Sequence, residues 1–382
     1  MKKLTVVIVS YNVRYYLEQC IVSVQRAAHD IDYEIYVVDN DSHDDTVCYL
    51  SHQFGDEITL IESQHNLGFA RANNIAIRQT KSEYVLLLNP DTFISEDTLS
   101  KVLMFMDEHP KAGGAGVMMH NSDGSVARES RRGLPTPWVS MMKMMGASRR
   151  YYLSNLSWDE PGQIEVMSGA FCMLRRKVLD EVGLLDKDFF MYGEDIDLSY
   201  RILKGGYENW YVPAHIVHYK GESTQKSSYR YVHVFYQAML IFFRKHYSHL
   251  SFFVTIPIKL AICFRAFLAL MQMLYQRMRH SLGFDGRDHA DTNYFFVGSA
   301  LMIDQCRRLA KKKGLTAQFQ IVTVFSQLPI NYESNSCVVY DSEQFTFQQI
   351  ISDAIKRADQ HTSIGTYSHQ TKTLITPTEI LR

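Results

Sequence analysis

The sequence lacks the cysteine and glycine patterns that mark several common kinds of site. Its six cysteines, in 382 residues, include no CxxC pair and no Cys/His group at zinc spacing. This argues against a structural zinc and favours a reducing compartment. No GxGxxG or GxxxxGKS/T sequence follows the first predicted strand, so a glycine-rich phosphate loop is excluded there. Any bound phosphate must be held in another way, and a divalent cation is the obvious substitute.

A strong net charge and a leader-like apolar run are also missing. The formal charge is -1, so the composition does not indicate nucleic acid as a partner. After "MKK", only the six residues 4–9 are apolar or small before polar residues begin, which is too few for the apolar part of a signal peptide. We therefore expect a cytoplasmic protein whose N-terminus forms a strand.

What the first third does contain is an alternation of apolar, strand-like runs with helix-like runs. Strands are predicted over 4–10, 33–40, 57–63 and 84–89, and helices over 14–28, 44–54, 69–79 and 95–107. This pattern predicts an α/β fold with a mostly parallel sheet covered on both faces. Ligands of such sheets gather at the carboxyl ends of strands. Polar or acidic clusters follow three of these strands, at 10–12, 39–46 and 89–91.

The strand "YVLLL" ends abruptly at Asn89, Pro90 and Asp91. A carboxylate presented there with an amide beside it suits a hard cation that keeps water and phosphate oxygens as further ligands. A plain Asn-Pro turn is the alternative for this tetrapeptide alone. Farther on, His215 and His218 stand three residues apart, and a histidine at a strand end can complete a metal site or contact a diphosphate. A hydrogen-bonded structural histidine is the alternative.

A second acidic group opens the predicted helix of "FFMYGEDIDLSYRILKGG", residues 189–206. Glu194 and Asp195 lie at its positive end, which favours anions. Asp195 and Asp197 are two residues apart, so they cannot face the same way. One can act in catalysis while the other caps the helix or pairs with Arg201. Simple N-terminal capping is the alternative for the acidic pair alone.

From about residue 219 the chain becomes basic and rich in Phe, Tyr and Met. Residues 220–284 hold nine Lys or Arg and one acid, Glu222. The stretch 252–274 has roughly the length of a membrane helix, but Pro257, Lys259, Arg265 and Gln272 interrupt it. An amphipathic helix lying on an anionic inner leaflet fits better than a span. A basic-edged helical hairpin packed on the preceding domain is the alternative.

Four regions are predicted along the chain. Residues 1–225 form the main α/β domain, 226–284 a basic and apolar helical segment that associates with a membrane, and 285–293 a linker. Residues 294–382 form a small Rossmann-like α/β module. Because "VGSA" lacks the glycines of a dinucleotide fingerprint, no ligand is assigned to this module.

Six motifs together resemble those of family 2 glycosyltransferases of the GT-A fold. They are "VVIVSYN", "YVVDNDSHDDT", "NLGFARANN", "LLLNPDT", "MSGAFCMLRR" and "DKDFFMYGEDIDLSYR", in that order, within residues 1–225. The chain looks most like bacterial rhamnosyltransferase-type members that build cell-surface polysaccharides. This resemblance implies an inverting, metal-dependent transfer from a nucleoside diphosphate sugar, for which dTDP-rhamnose is one candidate. The implied acceptor is a lipid-linked or membrane-proximal saccharide at the inner face of the cell membrane.

The resemblance also implies roles for individual residues. Asp195 matches the catalytic base, and Asp91 becomes the principal ligand of Mg²⁺ or Mn²⁺ because Asn89 replaces the first acid of the family's DxD motif. His218 matches a histidine that reaches the metal in some relatives. The implied contacts to the nucleotide sugar are Ser10, Tyr11, Asp39, Asn66, Gly68, Arg71, Asn73, Asn89, Gly169 and Glu194.

Two other functions remain as alternatives at this point. The replacement of the DxD acid by Asn89 favours a non-catalytic scaffold of a polysaccharide assembly complex. A nucleotidyltransferase is the third interpretation, but "SYNVRYY" does not supply the glycine-rich, basic triphosphate loop that such enzymes use. The sequence leaves the oligomeric state, including a homo-oligomer, open.

Overall fold

The computed structural model describes residues 2–144, 146–219, 229–248, 292–329 and 332–382, together with seven single positions between 256 and 278. The predicted linker over 285–293 lies outside the described residues, except for its last two positions. Most of the apolar stretch over 252–274 lies outside them as well.

The first unit is an α/β domain around a nine-stranded sheet. Its strands are β1 (Leu4–Ser10), β2 (Tyr33–Asp39), β3 (Thr59–Glu62), β4 (Tyr84–Leu88), β5 (Thr92–Ile94), β6 (Ala112–His120), β7 (Gly162–Ile164), β8 (Phe171–Arg175) and β9 (Glu208–His218). Its helices are α1 (Arg14–Ala27), α2 (Thr46–Phe54), α3 (Phe69–Gln79), α4 (Thr98–Glu108), α5 (Pro137–Met144), α6 (Arg176–Val182), α7 (Glu194–Lys204) and α8 (Tyr229–His246).

The sheet is mixed, which corrects the expectation of a mostly parallel one. Its order is β3-β2-β1-β4-β8-β6-β9-β5, and β7 pairs with β9. The first four strands run parallel, as predicted, because helices cross over between them. β8 is antiparallel to both β4 and β6, whereas β5 and β7 are antiparallel to β9. Part of the connection from β6 to β8 lines a cavity instead of covering the sheet. Strand β8 runs in the direction opposite to β6.

Both faces of β1 are buried, as its continuous apolar sequence predicts. Val6 and Ile8 pack in one core with Leu17 of α1. Val7 lies on the opposite face, in a core with Ala72 and with Ile77 at the end of α3. The carboxyl end of β1 is thus held rigidly between two helical layers.

Helix α8 belongs to the segment predicted to associate with a membrane, but it packs on the first unit. Ala238, Met239 and Phe242 are buried there in a cluster with Phe189 and Ile196. This agrees with the alternative of a helix packed on the preceding domain for residues 229–246. Within the described part of the chain, every helix is too short or too polar to reach across a bilayer.

The second unit is a smaller α/β layer around a six-stranded sheet. It contains β10 (Asn293–Gly298), α9 (Ala300–Lys313), β11 (Ala317–Ile321), β12 (Ser336–Asp341), α10 (Phe347–Lys356), β13 (Ser363–Ser368), β14 (Thr373–Ile375) and β15 (Ile380–Leu381). The order is β11-β10-β12-β13-β14-β15, with parallel pairing as far as β13. Helices α9 and α10 each join two parallel strands of this sheet, and the Rossmann-like character of the unit stays a prediction.

The two units share one apolar core and several hydrogen bonds. The ring centroids of Phe93, in β5, and Phe347, in α10, lie 5.1 Å apart. The two carboxylate oxygens of Glu96 accept the backbone N–H groups of Phe347 at 2.8 Å and Gln348 at 2.7 Å, so an acid of the first unit caps α10. The second unit therefore packs directly behind the turn that carries Asp91.

Candidate active site

One cavity of about 630 Å³ opens at the carboxyl edge of the first sheet. Its wall includes the strand ends of β1 and β4, the end of β9 and the start of α7. Nine of the residues expected at the site line this wall: Ser10, Tyr11, Asn66, Asn89, Asp91, Gly169, Glu194, Asp195 and His218. Residues that are up to 208 positions apart in the sequence are thus brought to one place.

Asp91 and His218 lie side by side because β5 pairs with β9. Thr92 is opposite His218 in that register. The Nε2 atom of His218 lies 3.1 Å from Oδ1 of Asp91, and Nδ2 of Asn89 lies 3.4 Å from the same nitrogen. The backbone N–H of Tyr219 donates to the carbonyl oxygen of Asp91 at 3.0 Å, which fixes the turn against the end of β9.

The ring of Tyr219 faces away from the cavity and joins the core between the two units. It packs edge-on against Tyr16, with ring centroids 5.3 Å apart, and against Phe93 at 5.7 Å. Val338 of the second sheet belongs to the same cluster. The residue that follows His218 is therefore anchored in the interface.

The donor atoms of Asp91 and His218 suit a divalent ion. A carboxylate oxygen is a normal ligand of Mg²⁺ and Mn²⁺, and an imidazole nitrogen is a common ligand of transition metals, which favours Mn²⁺. Two protein ligands leave most coordination positions for water and diphosphate oxygens. The residues present therefore fit the expected ion.

A second group of metal-ligating side chains lies in the other unit. Asp341, Glu343 and His369 offer ligand atoms within 4.8 Å of one another, and no other group of three occurs among the described residues. Asp341 ends β12, and its Oδ2 already accepts the backbone N–H of Ser299, the N-cap residue of α9. This group does not line the cavity of Asp91.

Asp195 is the second residue of α7 and its carboxylate is held in place from several sides. Oδ2 accepts a hydrogen bond from Nη2 of Arg132 at 2.5 Å and from the backbone N–H of Gly169 at 3.3 Å. Oδ1 accepts from the N–H of Ile196 at 2.8 Å. Both members of the ion pair are mostly buried, with side-chain exposures of 12% for Arg132 and 15% for Asp195. The pair remains open to the cavity, since both residues line it.

Arg132 was missed by the sequence analysis. It lies in the connection between β6 and β7, for which no element was predicted. The available signal was the double arginine of "SRRGLPTP", a basic pair in an otherwise uncharged stretch that is too rich in Pro and Gly for a helix. Its partner, 63 residues later, cannot be read from spacing.

Asp197 faces away from Asp195, as the spacing along the helix predicts. Its Oδ2 accepts from Nε of Arg201 at 2.8 Å, and its Oδ1 lies 2.7 Å from Nε2 of His246 in α8. The side chain is only 1% exposed. Asp197 therefore fastens α8 to α7, and Asp195 alone of this pair reaches the cavity.

Glu194 is the first residue of α7 and is 5% exposed. Burial, and secondly the negative charge of Asp195, raises the pKa of Glu194 to about 8. Its carboxyl group is therefore mostly protonated at neutral pH. Glu194 adds no full negative charge beside Asp195, and its contact with a nucleotide sugar stays a prediction.

At the other end of the cavity, polar side chains of β1 and of the loop before α3 form the wall. The hydroxyl of Ser10 is buried and has no hydrogen-bond partner in the structure. Oδ1 of Asn66 accepts from Nδ2 of Asn40 at 3.0 Å. Tyr11 is 37% exposed at the rim. Asn40, which also lines the wall, was not predicted.

Asp39 is buried next to this wall without forming part of it. Its Oδ2 accepts the backbone N–H of Ser42 at 2.9 Å, while Oδ1 has no partner in the structure. An unpaired buried carboxylate oxygen is costly unless a ligand donates to it. Its predicted contact with the nucleoside stays a prediction.

Three further predicted contacts, Gly68, Arg71 and Asn73, lie behind the wall. Nε of Arg71 donates to the carbonyl oxygen of Lys187 at 3.1 Å, and Nδ2 of Asn73 donates to the carbonyl oxygen of Phe69. Gly68 begins α3 with φ +77°, and a Cβ there would lie 2.3 Å from the carbonyl oxygen of Phe190. These residues shape the loops, and their contact with a nucleotide sugar is untested.

The remaining wall was not foreseen. It comes from the connection between β6 and β7 and from α8, and it includes Pro135, Lys143, Tyr151, Phe235, Met239 and Phe243. The sequence signal in α8 was a run of aromatic and Met residues, which was interpreted as a membrane-associating surface.

Comparison with known proteins identifies the first unit. A family model described as "Glycosyl transferase family 2" matches residues 5–183. The N-acetylglucosaminyl-diphospho-decaprenol L-rhamnosyltransferase of Mycobacterium tuberculosis is 27% identical over 266 residues, which are 64% of this chain and 85% of that protein. Rhamnosyltransferase WbbL of Escherichia coli is 28% identical over 160 residues, which are 40% of this chain and 61% of that protein.

Among solved structures, a mannosyltransferase of Pyrobaculum calidifontis in complex with GDP-Man and Mn²⁺ is similar, with 19% identity and a TM-score of 0.47 over 72% of this chain and 75% of that chain. The family match spans β1 to α6, and the match to the mycobacterial enzyme covers a longer part of the chain. Residues 5–183 are thus the family 2 domain of a glycosyltransferase whose sequence resembles those of rhamnosyltransferases.

Proposed function

We propose that the protein is an inverting, metal-dependent glycosyltransferase that moves a sugar from a nucleoside diphosphate sugar to a hydroxyl of a lipid-linked or membrane-proximal saccharide. The observation that carries this proposal is the shared cavity of Asp91, His218 and Asp195. Asp91 and His218 suit a metal ion bound to a diphosphate, and the carboxylate of Asp195 suits a base. All three residues face the same cavity.

Asp91 and His218 are the residues that would hold Mg²⁺ or Mn²⁺, with Asn89 beside them. When bound, the ion supplies positive charge that stabilises the departing diphosphate. At the nucleoside end, Ser10, through its unpaired hydroxyl, and Asn66 are placed to bind the donor.

Asp195 is proposed to accept the proton of the attacking acceptor hydroxyl. Its carboxylate lies at the N-terminus of α7 and accepts a hydrogen bond from Arg132. The backbone N–H of Gly169 fixes the orientation of the carboxylate. One base and no enzyme nucleophile imply a single displacement, which inverts the anomeric centre.

The finer identity of the substrates is proposed from the relatives. Two of them are named as rhamnosyltransferases, and the name of one includes N-acetylglucosaminyl-diphospho-decaprenol. For this chain we propose dTDP-rhamnose as a candidate donor, a lipid-linked saccharide as acceptor, and a role in cell-surface polysaccharide biosynthesis.

Calorimetry with uridine and thymidine diphosphates, with and without Mn²⁺, tests the donor site. We expect Mn²⁺-dependent binding that Asp91→Asn weakens and Asp195→Asn leaves intact. Transfer should fall by about 10²–10⁴-fold in Asp195→Asn, because the general base is lost. Asp304→Asn, on the exposed side of α9, is the matched control. Absence of nucleotide binding in the wild-type protein, or full transfer by both site variants, would contradict the proposal and favour a scaffold.

Association with the inner face of the membrane is proposed for the segment after α8. Ile256, Leu260, Phe264, Phe267, Met271, Tyr275 and Met278 are helical and between 45% and 65% exposed. Their spacing of three and four residues is that of one helix face, and lysines and arginines lie between them in the sequence. Flotation with anionic vesicles should recover the protein, and Phe264→Asp with Phe267→Asp should abolish this. Equal flotation of the variant would contradict the assignment.

A further inference from the structure

We propose that Lys143 binds a diphosphate group of the acceptor, on the side of the cavity that carries Asp195. The inference rests on the proposed function, because an acceptor site exists only if the chain transfers a sugar. The inference assigns a negatively charged group to the acceptor and names Lys143 as the residue that binds this group.

A short series of contacts connects Lys143 to Asp195. Arg132 pairs with Asp195, and the side chain of Tyr151 acts electrostatically on Arg132. Nζ of Lys143 lies 3.4 Å from the centre of the Tyr151 ring. All four residues line the same cavity. The ammonium group is therefore placed next to the ion pair that holds the proposed base.

The carboxylate of Glu129, which lines the same cavity, acts on the ammonium of Lys143 more weakly than burial and the charge of Arg132 do. Among the described residues Lys143 forms no ion pair, although it is partly buried. Burial, and secondly the charge of Arg132, lowers the pKa of Lys143 to about 8. The face of the Tyr151 ring supplies only a weak attraction for the charge. An anion bound beside Lys143 would offset this unfavourable environment.

The wall beside Lys143 is apolar. Met239 and Phe243 of α8 pack in one cluster with Leu134 and with Ile196, the neighbour of Asp195 in α7. Met239, Phe243 and Pro135 line the cavity. A cation next to an apolar wall suits a molecule in which an anionic group joins a sugar to an apolar chain. A diphosphate-linked lipid has both parts.

The donor also carries a diphosphate, and the contacts distinguish the two sources. The donor diphosphate is expected at Asp91 and His218, which are connected to each other and not to the Arg132–Tyr151–Lys143 series. Lys143 is attached through that series to the base, which must lie next to the acceptor hydroxyl. The acceptor is therefore the source to which Lys143 is assigned.

Binding of farnesyl diphosphate and of farnesol to the full-length protein tests the assignment by calorimetry. We expect Lys143→Met to weaken farnesyl diphosphate binding by about 10- to 100-fold, the effect of a lost charge-assisted hydrogen bond. Farnesol should bind both proteins equally. Lys143→Arg should restore the affinity, and Lys111→Met, at an exposed lysine before β6, should change nothing.

A second arm separates acceptor from donor. In the presence of saturating nucleoside diphosphate and Mn²⁺, farnesyl diphosphate should still bind to the wild-type protein. Competition between the two ligands, or equal affinity of wild type and Lys143→Met, would overturn the assignment. Nucleotide binding measured without farnesyl diphosphate tests the proposed function separately, and Lys143→Met should leave it unchanged.

The pH dependence gives a readout that a purely structural role of Lys143 would not produce. Affinity of the wild-type protein for farnesyl diphosphate should fall as the pH rises past the range in which the lysine loses its proton. Lys143→Arg should show no such fall between pH 7 and about 9.5, because a guanidinium stays charged. Parallel pH profiles for the two proteins would count against the proposal.

Discussion

Arg132 holds the carboxylate of Asp195 in one orientation through the contact between its Nη2 and Oδ2 of Asp195, which favours catalysis by this group. Arg132 does not itself reach a proposed reacting atom, so we regard it as a positioning residue.

Replacement of Arg132 by Met should lower kcat by about 10- to 100-fold while nucleotide binding is unchanged, because a misplaced base reacts slowly. Arg132→Lys should restore most of kcat. Loss of nucleotide binding in Arg132→Met would instead indicate general misfolding, which circular dichroism would detect.

Glu194 should give the folded state a measurable pH dependence. Its pKa is about 8 in the folded protein against 4.5 ordinarily. As the pH rises from 4.5 to 8, the unfolded chain loses this proton first, so the free energy of unfolding falls. The slope is at most about 1.4 kcal/mol per pH unit.

Glu194→Gln stays neutral in both states and should remove this contribution. Urea unfolding at pH 5, 6, 7 and 8 measures the slope for both proteins. The exposed Glu160→Gln is the control and should keep the wild-type slope. Identical slopes for all three proteins would show that the Glu194 carboxyl ionises normally in the folded state.

At the scale of elements, the start of α3 and the loop before α7 fit against each other at Gly68. The backbone N–H of Phe69 donates to the carbonyl oxygen of Phe190 at 2.8 Å. No side chain fits between the two segments at this point. The N-terminus of α3 is therefore fixed to the loop that leads into α7, the helix that carries Asp195.

Gly68→Ala should destabilise the protein by about 1–3 kcal/mol more than Gly206→Ala, because only the first collides with backbone. Both glycines have positive φ, +77° and +83°, and a Cβ at Gly206 meets nothing within 4 Å. The control thus also places a Cβ at a positive φ, but without the collision. Thermal or urea unfolding of the two variants measures the difference, and equal losses would contradict the steric explanation.

The elements that the sequence predicted are those whose signal is local. The predicted strands 4–10 and 84–89 are β1 and β4 at the same or nearly the same bounds, since each is short, apolar and ended by polar residues. The reversed β8, and β6 beside it, depend on pairings across the sheet that no local pattern encodes. For the same reason Asp91 and Asp195 could be singled out from turn and helix-start chemistry, but Arg132 and Lys143 could not.

At the scale of the whole molecule, the second unit packs on the first through a shared apolar core. Phe347 packs on Phe93, two residues after Asp91, and Arg26 of α1 donates to the carbonyl oxygen of Ser342 at 2.8 Å. Separating the units would expose this aromatic core to water.

Phe347→Ala should cost about 3–5 kcal/mol, the usual effect of removing a buried aromatic ring. Because the ring lies at the interface, hydrogen exchange should become faster in β5 and at the end of β9, beyond the second unit itself. Phe319→Ala, whose ring stacks on Phe296 within the second unit, is the control. Faster exchange in β5 for both variants, or for neither, would contradict a specific coupling through Phe347.

The position of Tyr219 has a practical consequence for engineering this enzyme. One peptide bond separates an imidazole that faces the cavity from a phenol ring clamped between two sheets. A chimera that exchanges the C-terminal unit for a foreign one must keep the same packing around Tyr219. Otherwise the imidazole of His218 will shift relative to Asp91. Directed evolution of the interface is accordingly a route to moving the His218 imidazole without any change in the residues that line the cavity.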